Sequence, residues 1–184
     1  MLERALLPGE YAVLGMLALR PMHGYEMARF FDRDELSDVC PIEQSLLYTY
    51  IRNVEERALV TFHEERVGQR PPRKRYALSD AGRSLLDRWL HQPVERMREV
   101  RLEFLLKLYF LHQLDVDGEC DLLSREIEVC EAYRARLADR ATDTEGFRRL
   151  VALSKVSAAE SVGNWLRAYA AELSSTPTTA AVRP

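Results

Sequence analysis

The sequence lacks the residues and spacings that most chemistry needs. Cysteine occurs three times, at Cys40, Cys120 and Cys130. An odd number at wide spacing fits neither a disulfide framework nor a zinc pattern, so buried or idle thiols are expected. His23, His63, His91 and His112 are scattered, and no Ser/His/Asp order, phosphate loop or metal motif accompanies them. His112 lies in a very apolar segment and reads as a packing residue rather than a ligand. No catalysis, metal or cofactor is expected. No apolar run reaches the roughly eighteen residues that a membrane span needs. The N-terminal MLERALLPGEYAV has acids among its apolar residues and no basic start, unlike a signal peptide, so a cytoplasmic location is the expectation. Lysine is confined to Lys74, Lys107 and Lys155, leaving arginine most of the 26 basic positions.

What is present suits a soluble globular protein. Its 184 residues allow one large domain or two small ones, and 47% hydrophobic with 30% charged residues is an ordinary balance. The formal net charge is -3 and neither half is basic, yet residues 67–79, VGQRPPRKRYALS, put Arg70, Arg73, Lys74 and Arg75 around two prolines. A polyanion would have to be met by this local patch, not by the global field.

The elements around the patch give it a context. GEYAVLGMLAL has a helical stripe at Val13, Leu14, Leu17 and Ala18, ended by Arg20–Pro21. MHGYEMARFFDRDEL follows with Tyr25, Ala28 and Phe31 on one face. A third helix over residues 43–58 has Leu47, Tyr50, Ile51, Val54 and Ala58 on its apolar side. Its other side presents Ser45, Tyr48, Thr49, Arg52 and Glu56, with Gln44 added as a DNA-binding candidate, either a solvated face or one that touches bases and phosphates. Short strands are expected at residues 60–66 and 75–78, with Gly68 and Pro71–Pro72 shaping the tip between them. Ser79–Asp80 caps a further helix with Leu85, Leu86, Trp89 and Leu90 on its buried side.

Three helices, a hairpin with a cationic tip and a closing helix make a winged helix-turn-helix. The helix at 43–58 would enter the major groove, while Arg70, Arg73, Lys74 and Arg75 neutralise adjoining phosphates. The alternative is a winged helix that binds only protein.

The same segments resemble the PadR family of bacterial transcriptional regulators. LGMLALRPMHGYEMARFFD is similar to its first two helices, SLLYTYIRNVEERALV to its recognition helix, and RPPRKRYALSDAGRSLLDRWL to its wing and following helix. The match runs through residues 8–90. The family often has proline where this chain has Thr49, and glycine where it has Ala58.

The second half reads as helical. Residues 98–114 are apolar almost all round and resemble the "L-L-K-L" segment of longer PadR-like proteins. A helix over 119–140 has Leu123, Ile127, Cys130, Tyr133 or Arg134, and Leu137 near heptad spacing. Another, over 145–173, has Phe147, Leu150, Val151, Ser154, Ala158, Val162, Trp165, Leu166 and Tyr169, with small residues at 157–159, 161 and 163 that permit close approach.

The expected fold is thus mainly α: a winged helix-turn-helix at 1–92, an α-helical dimerisation domain at 93–173, and a disordered tail at 174–184. Unburied apolar faces suggest an isologous dimer, and the resemblance implies pairing through C-terminal helices. It also implies a small aromatic or drug-like effector, for which Trp89, Phe104, Tyr109, Trp165 and Tyr169 are candidate lining residues; at helical spacing the same aromatics read more readily as core. A homodimeric repressor of double-stranded DNA is the expected function.

Overall fold

The computed structural model of the chain describes residues 5–31, 35–66 and 72–175. It forms two compact units. The first runs to Gln92 and adds Glu99–Asp117; the second joins Pro93–Arg98 to the residues from Gly118 onward.

In the first unit, α1 (Pro8–Leu19) opens with proline at its first position, and the Glu10 carboxylate accepts the Leu7 N–H at 2.7 Å. The expected single stripe is too narrow, because Gly9–Leu17 is buried almost continuously. One side meets α4 (Gln44–Glu56) and α5 (Asp80–Leu90). Another meets α6 (Leu105–Leu114), where the Phe110 ring lies so close to Gly15 that a Cβ would stand 2.3 Å from it. The helix expected at the head of the dimerisation domain therefore packs in the first unit. A 3₁₀ turn at Met97–Glu99 and a π turn at Val100–Phe104 lead into it. His112 on α6 is exposed, contrary to the expectation of a packing residue, because it falls beyond the buried run that ends at Leu111.

Met22–His23 forms a two-residue strand, β1, that no sequence period announced. α2 (Gly24–Phe31) then buries Gly24, Met27 and Phe31. Tyr25 was expected on that face. It is 40% exposed, because the helix starts at Gly24 and turns its buried side through positions 27 and 31. A short α3 (Leu36–Val39) precedes α4, whose core side is Leu47, Ile51 and Val54.

β2 (Val60–Glu65) and β3 (Arg73–Leu78) form the hairpin, and β1 pairs with the far edge of β3, giving an antiparallel sheet of order β1-β3-β2. Ser79 then caps α5 by accepting the Gly82 N–H at 3.0 Å.

Ala58 does not extend the α4 face as expected. The helix stops at Glu56, and Ala58 has φ 54°, in the left-handed region. Its N–H reaches Glu55 O at 2.9 Å, and Leu59 N–H reaches Val54 O at 3.0 Å. These two bonds make a Schellman motif, with Leu59 and Val54 both buried.

The second unit pairs α7 (Glu119–Thr142) with α8 (Gly146–Ser175). α7 contributes Leu122, Leu123, Cys130 and Leu137; α8 contributes Ala152, Ala159, Gly163 and Leu166. The small residues do allow close approach: Cys130 Sγ donates to Ala159 O at 3.2 Å. Phe147, Leu150, Val151 and Trp165, read from sequence as part of the α8 stripe, are 78%, 61%, 37% and 37% exposed. The expected tail also begins too early, since Ser174 and Ser175 close α8; the rest of it lies outside the described residues. No described helix is long and apolar enough to cross a membrane.

Candidate nucleic-acid interface

The buried side of α4 leaves Gln44, Ser45, Tyr48, Thr49 and Arg52 exposed together on the opposite side. The Thr49 hydroxyl donates to Ser45 O at 3.2 Å, and the Tyr48 ring lies over Gly24. Arg52 makes no hydrogen bond or ion pair among the described residues, so its guanidinium is available to a ligand.

The wing strand β3 lies beside this face. A cleft of about 560 Å³ separates them, lined by Tyr48, Ile51, Arg52, Glu55, Glu56, Lys74 and Tyr76. Arg73 is exposed and sits 5.2 Å above the Tyr25 ring. Lys74 is held: its Nζ donates to Glu55 Oε1 at 2.5 Å and stands 3.8 Å over the Phe62 ring. The Tyr76 hydroxyl donates to the other oxygen, Glu55 Oε2, at 3.2 Å. Burial, and then the Glu55 charge and this hydrogen bond, push the Tyr76 phenol up to about 12. Arg75 approaches Glu65 at 3.5 Å and the Pro21 carbonyl at 3.5 Å. Arg70 lies outside the described residues.

His23, Arg75 and His63 form one rung across the three strands. Glu65 gathers them: His63 Nε2 at 2.8 Å, His23 Nε2 at 3.2 Å, and Arg75. The His63 hydrogen bond, with Arg75 and His23 behind it, holds the Glu65 carboxyl below its ordinary value. His23 Nδ1 faces the Lys74 carbonyl at 3.0 Å and donates to it, tying β1 to the wing.

The sequence-based site is therefore brought together on α4 and β3, with two of its cations already partnered. Glu55, Glu65, Tyr25, Tyr76, His23 on β1 and His63 on β2 were missed. The acid pair at 55–56 was a visible signal, but its partners stand about twenty residues away on a strand.

The aromatics named for an effector do not share one unit. Trp89, Phe104 and Tyr109 belong to the first, Trp165 and Tyr169 to the second. Trp89 stacks on Tyr11 with centroids 4.2 Å apart and donates to Glu103 at 2.9 Å, while Phe104 is fully buried. Lys107, also buried, donates to Gln92 O at 2.6 Å, lies 3.1 Å from Glu103 and stands 5.0 Å over Trp89. Tyr169 donates to Glu119, and burial, followed by this hydrogen bond, raises its phenol pKa.

An exposed polar helix face beside a cationic β-wing, on this element order, defines a winged-helix DNA-binding protein. Residues 13–88 match the family described as "Transcriptional regulator PadR-like family", and residues 100–174 match "Virulence activator alpha C-term". The chain is 30% identical over 132 residues to the negative transcriptional regulator PadR of Bacillus subtilis, covering 71% of this chain and 69% of that one. It belongs to the PadR-like family of transcriptional regulators, which is not an enzyme class. A probable transcriptional regulator of Mycobacterium tuberculosis is 33% identical over 91 residues, 50% of this chain and 48% of that protein. Among solved structures, Bacillus subtilis PadR in complex with operator DNA is 25% identical with a TM-score of 0.43, covering 89% of this chain and 96% of that one. The same protein in complex with p-coumaric acid is 23% identical with a TM-score of 0.42, covering 91% and 99%.

Proposed function

We propose that the chain is a cytoplasmic, non-catalytic repressor that binds a two-fold operator as a homodimer. Gln44, Ser45, Tyr48, Thr49 and Arg52 read the major groove, while Arg70, Arg73, Lys74 and Arg75 meet the adjoining phosphates. The observation that carries this reading is Arg52, unpartnered among the described residues, on an exposed polar helix face set across a cleft from a cationic strand. The negative regulator of Bacillus subtilis to which the chain is similar supports repression. The second unit supplies the dimer contact through the outward Phe147, Leu150 and Trp165 of α8. A small aromatic or drug-like effector relieves repression by favouring one dimer arrangement over another.

Sequencing of genomic fragments retained by the purified protein, followed by anisotropy titration of the recovered operator over a salt series, tests the proposal. One enriched two-fold site with salt-dependent binding is expected. No enrichment and no salt-dependent duplex binding would leave a protein-interaction module instead.

A further inference from the structure

We propose that Glu55 is a specificity-determining residue, an internal competitor that holds Lys74 of the wing and so weakens binding to duplex of arbitrary sequence. The inference rests on α4 and β3 being the DNA interface.

The cations of this surface fall into two sets. Arg52 and Arg73 are exposed and make no ion pair among the described residues. Lys74 is paired with Glu55, and Arg75 with Glu65. Glu55 is the more enclosed of the two carboxylates, 25% exposed against 33% for Glu65, and the Phe62 ring covers another side of the Lys74 ammonium. Both Glu55 oxygens are engaged, one by Lys74 and one by Tyr76, so the carboxylate is fixed between helix and wing.

Binding to random duplex depends on phosphate neutralisation and the counterions it releases. A lysine already neutralised by a carboxylate contributes nothing to that until the carboxylate is displaced. Displacement leaves Glu55 facing the phosphates with no cation beside it, held by the Tyr76 hydroxyl. On the operator, base contacts fix α4 in one register, so a released Lys74 meets only the phosphates that register presents, whereas a random duplex offers it every register. Glu55 therefore lowers affinity most where sequence is not being read.

The test uses the full chain, the recovered operator and a random duplex of equal length. In Glu55→Gln, random-duplex affinity at 0.1 M salt should rise about five- to tenfold, with a salt slope steeper by about 1. Operator affinity should rise less. In the Glu55→Gln/Lys74→Gln double variant, the gain relative to Lys74→Gln alone should disappear. A gain that persists there would assign the effect to general loss of negative charge and overturn the proposal. So would weaker binding of Glu55→Gln to both duplexes, which would make Glu55 a brace only. Ultraviolet titration checks the contact without DNA: the Tyr76 phenol should ionise earlier in Glu55→Gln, and an unchanged titration would overturn the proposal. If the wild-type chain binds neither duplex, the DNA reading itself falls, and the wild-type measurement alone reveals it.

Discussion

Replacing Ala58 by glycine should stabilise the protein. Ala58 holds φ 54° at the end of α4, where the Schellman bonds from its own N–H and that of Leu59 close the helix. A left-handed L-residue carries a cost of about 1–2 kcal/mol from Cβ against the following carbonyl. Glycine removes that cost but adds about 0.4–1 kcal/mol of unfolded-chain entropy. The difference favours Ala58→Gly by about 1 kcal/mol. Ala58 is exposed, so its methyl group gives up little packing. For a chain of this length the change corresponds to roughly 2–4 °C in Tm. Thermal unfolding by circular dichroism, with urea titration alongside, measures it. Ala58→Val should shift in the opposite direction, because a β-branched residue fits the left-handed region worse. The motif also joins α4 to β2, so operator affinity should be unchanged in the glycine variant if the backbone path is kept. A neutral or destabilised Ala58→Gly protein would refute the reasoning. It would mean that the turn carries no left-handed strain in solution.

Arg52→Ala should cost about 1–3 kcal/mol of operator binding and relax preference at one base pair if Arg52 reads a base. Competition with a randomised operator checks this; equal loss on all sequences would make it a phosphate contact. A truncated chain ending at Gln92 should fail to fold, because it strips α6 from Gly15 and the buried side of α1. A chain ending at Asp117 should fold as a monomer and bind the operator far more weakly than the intact protein, as circular dichroism, analytical ultracentrifugation and anisotropy would show. The Tyr76 phenol is raised from 10.0 to about 12, so the neutral form is favoured in the folded state. Its contribution is complete below pH 10 and is lost as pH rises towards 12, and Tyr76→Phe should flatten that alkaline loss in a stability–pH series.

Elements with a strong local signal were legible in the sequence. The spacing of Leu47, Ile51 and Val54 placed α4, and Ser79 before Asp80 placed the start of α5. The prolines and Gly68 separated β2 from β3. Features decided by distant partners were not legible. β1 has two residues and exists only because β3 offers it an edge. Tyr25 carries the same helical phase signal as a core residue, but the start of α2 at Gly24 turns it outward to His23 and Arg73. The all-round apolarity of α6 announced burial without saying against what, and its contacts with α1, α3 and α5, Gly15–Phe110 among them, assign it to the first unit. Within the site, a run of cations looks uniform in sequence. Their division into free and held charges depends on Glu55 and Glu65, which belong to other elements.

The central place of β3 in the sheet has an engineering consequence. Its register is pinned on one side by Met22↔Tyr76 and His23↔Arg75, and on the other by six pairs from Val60↔Leu78 to Glu65↔Arg73. The two β1 pairs lie on the edge of β3 away from β2, so they hold its register from outside the hairpin. Segments of equal length and different charge can therefore be placed between Arg66 and Pro72 with the register of the hairpin kept. The wing is in this sense an interchangeable part, in which phosphate contacts can be redesigned while the α4 reading head stays as it is.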